Sequence, residues 1–214
     1  MSLRAAVIAL RLVLAALSLA GVVTQLVIAV RTDFGITNFF SYFTTLSNLF
    51  GSVVFVIGAV RLWRGPDEVG PGVRGASVVY LTFVGVVFNT LLVGADVGGL
   101  QPWVNVVHHI VMPLAVVVDW LVWPPRARTR RSVLVPWMAI VAAYVVYSLV
   151  RGAVTGFYAY PFFNPGRVDG YGGVTLYCLG MLVGFVVIAL LVRWSGNALG
   201  ARRWDRSARE PSRR

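Results

Sequence analysis

The chain has 214 residues, 58% of them hydrophobic and 13% charged, with a mean hydropathy of +0.78. Soluble domains average about 25% charged residues, so this composition argues against one and for a membrane protein of about six spans. The net charge of +11 comes entirely from arginine, and its placement argues against nucleic-acid binding: seven arginines lie from Arg193 to Arg214 and four from Arg126 to Arg131, beside apolar segments, where such clusters mark the cytoplasmic face and meet anionic lipid.

Six segments approach the roughly 20 residues that cross a bilayer. The first, 5–30, is too long for a signal peptide, is interrupted by Arg11 and has no clear small-residue cleavage site, so it reads as a retained span. The others fall at 39–62, 76–95, 102–123, 133–152 and 173–194. Gly and Pro cluster between them, in RGPDEVGPGVRG (64–75), WPPRARTRR (123–131) and YPFFNPGRVDGYGG (160–173). The expected architecture is all-α: one polytopic domain of six transmembrane helices over 1–194, then an arginine-rich, disordered tail over 195–214. No internal repeat of the kind found in many transporters is evident. Cys178 is the only cysteine, so no intrachain disulfide forms.

Arginine counts predict the topology. The N-terminus, the second and fourth loops and the tail hold Arg4, Arg61, Arg64, Arg74, the 126–131 cluster and the tail arginines. The other loops hold Arg31, Arg151 and Arg167. The positive-inside rule then puts both termini in the cytoplasm, with membrane lipids as the surroundings. The opposite loops are aromatic, as in GFYAYPFF (156–163), which suits an interfacial belt.

Polar residues within spans are the informative ones, because each needs a partner or water. Taking span 2 to start at 39, Thr44 and Thr45 lie roughly 8 Å below its outer end at 1.5 Å per residue. His108 and His109 in span 4 lie roughly 9–11 Å down, and Asn89 in span 3 about 9 Å from its outer end. Three spans thus bring Thr, His and Asn to one level. Ser41, Thr44, Thr45 and Asn48 fall at i, i+3, i+4 and i+7, a single helical stripe. Asn105 precedes both histidines by three or four residues and can share a face with either. Pro113 has no N–H, which leaves the His109 carbonyl without its usual helical donor. Nearer the cytoplasmic end, Arg11 and Asp119 form an expected structural ion pair. No metal or other cofactor is expected: adjacent histidines diverge by about 100° on a helix and no third ligand is evident.

A hydroxyl nucleophile needs a base, and histidine is the usual one. No G-x-S-x-G elbow occurs, and the only acid near the right depth is Asp96, at the outer end of span 3. A Thr–His pair within a bilayer best reaches a lipid ester, with nearby asparagines to orient the base or to donate to an oxyanion.

YFTTLSNLF (42–50), WVNVVHHIVMP (103–113) and VTGFYAYPFFNPG (154–166) together resemble the family of androgen-induced protein and androgen-dependent TFPI-regulating protein, and more closely its bacterial relatives, the Pr-six-Pr membrane proteins. The resemblance implies a six-span hydrolase of lipid esters in a bacterial plasma membrane, acting on substrates such as fatty acid esters of hydroxy fatty acids, with a threonine nucleophile and a membrane histidine. Motif spacing favours Thr44 and His109, with Thr45 and His108 as alternates and Ser41, Asn48, Asn89 and Asn105 in support. The competing expectations are a non-enzymatic binding or transport protein with a polar pocket for an amphiphile, and a structural membrane subunit.

Overall fold

The computed structural model describes residues 2–65, 68–94 and 99–209; Asp96 lies outside them. They are helical, with no strand among the described residues. The main helices are α1 (Leu3–Arg31), the short α2 (Ile36–Phe40), α3 (Phe43–Arg64) and α4 (Pro71–Leu91). Then come α5 (Pro102–Val106), α6 (Met112–Val122), α7 (Leu134–Thr155) and α8 (Gly170–Arg209). A π-helical turn, Val107–Val111, joins α5 to α6, so that Pro102–Val122 acts as one span. Six helices are long and apolar enough to cross a membrane, which makes the chain a multi-pass helical membrane protein.

Local chemistry sets several helix starts and stops. Ser2 caps α1 by accepting from the Ala5 amide. Pro71 and Pro102 open their helices, where a missing N–H costs nothing. Gly156, at φ 74°, ends α7 in the left-handed conformation that glycine alone adopts freely, and its N–H returns to the Gly152 carbonyl.

Two starts differ from those expected. Span 2 does not begin at 39: α2 ends at Phe40, the chain turns at Ser41, and α3 begins at Phe43. Ser41 therefore leaves the expected stripe. Its hydroxyl bonds the Thr37 carbonyl and lies 2.8 Å from the Tyr147 hydroxyl of α7. Span 3 begins at Pro71 rather than 76, which places Arg74 in the first turn of α4, buried, instead of in a basic loop. The segment from Ser195, expected to be disordered, continues α8 as helix to Arg209. Its first turns are held to the bundle: Asn197 accepts from the Thr129 amide and donates to the Thr129 carbonyl.

The helix α4 is the hub, packing on α3, α6 and α8. The arginine-rich ends lie together: Arg4 donates to the Leu62 carbonyl at the end of α3, and Trp120 of α6 donates to the Val192 carbonyl of α8. By contrast α7 stands at the edge and buries only Trp137, Ser148 and Gly152.

At the other end, the aromatic loop after α7 turns inward. Tyr160, Phe162 and Phe163 are buried, and the Tyr160 and Phe162 rings stack. They are core, not the interfacial belt their composition suggests.

Near the arginine end, Arg11 holds Asp119 through two bonds, of 2.7 and 3.0 Å. Arg74 adds bonds of 2.7 Å to the same carboxylate and 2.8 Å to its backbone carbonyl. One acid thus ties α1, α4 and α6 together, where sequence reading supplied a single partner.

Candidate active site

The site forms where the first turn of α3 meets the π-turn. A helix start leaves its first amides without intrahelical partners. In α3 no side chain at the N-cap position supplies one. Two tyrosines distant in sequence do so instead: Phe43 N–H donates to the Tyr144 hydroxyl and Thr44 N–H to the Tyr160 hydroxyl, each at 3.2 Å. Thr44 is therefore fixed at a helix N-terminus, the positive end of the dipole. The inward loop that carries Tyr160 is what closes over it.

The Thr44 hydroxyl lies 3.4 Å from Nε2 of His109 and 3.2 Å from the Tyr160 hydroxyl. The first distance is a long hydrogen bond, of the kind seen in unliganded sites that tighten with substrate. On the other side of the ring, Nδ1 of His109 faces two acceptors, Oδ1 of Asn105 at 2.7 Å and the Asn105 carbonyl at 3.2 Å. A backbone carbonyl can only accept, so Nδ1 carries a proton. In the neutral imidazole this leaves Nε2 as the acceptor for the threonine proton. The ring of Phe88 stacks on His109, with centroids 3.6 Å apart and planes 16° from parallel, and holds its orientation.

The π-turn and Pro113 explain how the histidine is presented. Pro113 cannot donate to the His109 carbonyl, but that acceptor is not left free: Nδ2 of Asn89 donates to it at 3.0 Å, and also to the Gly85 carbonyl at 2.7 Å. Gly85 lets α4 come this close. A Cβ there would stand 2.8 Å from the Pro113 Cβ and 3.3 Å from the His109 carbonyl oxygen. Gly85→Ala is expected to cost about 1–3 kcal/mol as an overpacked contact. It should also weaken the Asn89 bond; a lowered unfolding midpoint in detergent, with reduced turnover, would show this, and an unchanged midpoint would contradict it.

The alternates bond elsewhere. His108 points to α1, with Nε2 3.0 Å from the Ser18 carbonyl and packed on Gly21. Thr45 is buried beside Thr44, but Thr44 carries the hydroxyl that meets His109. Asn48 joins three elements: it donates to the Thr44 and His108 carbonyls and accepts from the Ser18 hydroxyl.

The structure thus brings Thr44, His109 and Asn105 into one line, with Asn48 and Asn89 bracing the backbone and Ser41 outside. Tyr160, Tyr144 and Phe88 join them without having been singled out from sequence. Burial raises the Tyr160 hydroxyl above the ordinary tyrosine range, so it remains a proton donor.

A cleft of about 670 Å³ opens from Thr44, lined almost wholly by apolar side chains. That size is typical of small-molecule sites.

Fold and site together define a multi-pass helical membrane protein with a partly buried Thr–His–Asn cluster at the head of an apolar cleft. The chain matches no family model, no curated protein and no solved structure.

Proposed function

We propose that the chain is an intramembrane hydrolase of lipid esters, of which fatty acid esters of hydroxy fatty acids are the leading example, acting through an acyl-threonine. The observation that carries this reading is the line from Asn105 through His109 to the Thr44 hydroxyl, ending at an apolar cleft. Each residue supplies one part of nucleophilic catalysis.

The Thr44 oxygen attacks the ester carbonyl carbon while its proton passes to Nε2 of His109. Asn105 holds the tautomer and accepts from the imidazolium that forms. The tetrahedral intermediate collapses as the carbon–alkoxy bond breaks, and His109 returns the proton to the departing alkoxide. Water then gives a proton to the same nitrogen and attacks the acyl carbon. The bond to Thr44 breaks, and the proton goes back to its oxygen.

The Tyr160 hydroxyl, 3.2 Å from the nucleophile and protonated, is the donor for the oxyanion, assisted by the helix N-terminus. Tyr160→Phe is expected to lower kcat about 100-fold. The Thr44 amide would lose an acceptor, so the folded fraction is checked alongside. A kcat within threefold of wild type would remove Tyr160 from this role.

The same reading goes with membership of the bacterial Pr-six-Pr proteins, which the motifs around Thr44 and His109 resemble. The chain sits in the plasma membrane with both termini cytoplasmic, an orientation supported by the clustering of arginine at one end. The test is hydrolysis of a fluorogenic long-chain ester by purified protein. Retention of an amphiphile without turnover would instead favour a binding or transport protein, which the size of the apolar cleft also suits.

A further inference from the structure

The Thr44 hydroxyl stands on the wall of two spaces. The cleft runs between α3 and α4 on one side and α7 and α8 on the other; Val87, Met138, Ala142, Cys178 and Met181 line it. A narrow hollow of about 60 Å³ lies across from it, reaching Gln25, Ile28, Thr32 and Phe34. Thr44, Phe88, Leu92 and Tyr160 border both and form the partition. His109 borders the hollow and is not on the wall of the cleft.

We infer that the cleft holds the acyl chain of the ester, while the hollow passes the alcohol out and admits the hydrolytic water. This rests on the esterase reading of Thr44 and His109. Proton transfer decides the assignment. When the carbon–alkoxy bond breaks, the alkoxide oxygen takes its proton from Nε2 of His109, so the alcohol must lie on the side that His109 faces. The water that frees the acyl group loses its proton to that nitrogen and must enter from the same side. The acyl carbon stays bonded to Thr44, so its chain has only the opposite space to occupy.

Size and lining agree with this. The cleft follows α7 from Val135 to Val146, roughly 17 Å at the helical rise, which suits a long chain. Its α7 wall is loosely packed, that helix burying only Trp137, Ser148 and Gly152, so this is the side on which a lipid chain would enter without crossing the bundle. The hollow, with Gln25, Thr32, Thr45 and His108 on its wall, has the polarity for water and the oxygen-bearing end of an alcohol; at about 60 Å³ it does not enclose the rest of a hydroxy fatty acid.

Two readouts test the assignment. Cys178 is the only cysteine and lines the cleft, so it reports occupancy without turnover. Palmitate is expected to slow modification of Cys178 by N-ethylmaleimide at least fivefold, acetate to have no effect, and Ala142→Trp to remove the protection. In the ester assay, Ala142→Trp is expected to lower the ratio of palmitoyl to butyryl ester hydrolysis at least tenfold. A labelling rate indifferent to palmitate, or an unchanged chain-length ratio, overturns the inference. A wild-type protein that hydrolyses no ester defeats the esterase reading, and with it the alcohol side. Cys178 protection still reads the chain in the cleft.

Discussion

Thr44→Ala is expected to lower ester turnover by at least about a thousandfold, as loss of a covalent nucleophile does. It should also abolish labelling by a fluorophosphonate probe. The residue sits in the first turn of α3, and among the described residues its side chain bonds His109 and Tyr160, so its loss should leave the fold intact. His109→Ala should cost about as much as Thr44→Ala, and the double variant little more, because the members of such a unit fail together. The measurement is kcat on a long-chain ester, with the unfolding midpoint in detergent confirming that each variant is folded. Turnover at the wild-type level in either single variant would end the assignment. Thr45→Ala and His108→Ala serve as contrasts: a larger loss in these would move the chemistry to the alternates.

The second large effect concerns stability. Asp119 pairs with the buried guanidiniums of both Arg11 and Arg74. Asp119→Ala would leave two like charges buried without their partner. Breaking a buried pair in this way costs about 3–5 kcal/mol. Arg11→Met should cost less, because Arg74 still satisfies the carboxylate. Thermal midpoints in detergent check the order: wild type, then Arg11→Met, then Asp119→Ala. Asp119 is roughly 15 Å along the helix from His109. The folded fraction of each variant should therefore still label at Thr44. Equal midpoints for all three proteins would show that the cluster contributes nothing.

The spans were legible because burial in lipid demands long apolar runs, and little else produces them. Thr44 and His109 were legible as a pair through depth along the helices, although the premise for Thr44 was wrong by about a turn. Its helix starts at Phe43, and the level is right because the loop around Tyr160 closes above it. The choice between His108 and His109 depends on azimuth, which the π-turn alters and hydropathy does not report. Pro113 was the available signal, four residues after the carbonyl that Asn89 now satisfies. Tyr160 was hidden because an aromatic loop has the same composition whether it lies at a lipid interface or folds inward. Arg74 was hidden by a helix boundary, although Pro71 at the first helical position marked it.

The π-turn also governs which insertions and deletions the chain can absorb. A helix behaves as a screw: removing one residue rotates everything beyond it by about 100°. Here the span must satisfy two different sets of partners, α3 and α4 at the histidine end and α1 and α4 at the aspartate end. The wide turn, which itself carries His109, acts as a phase adjuster that lets each end be correct independently. Shortening Val107–Val111 by one residue would give a more regular helix and a worse protein, with His109 or Asp119 facing lipid. A one-residue change in the loops flanking this span, at 99–101 or 123–130, would leave both in register.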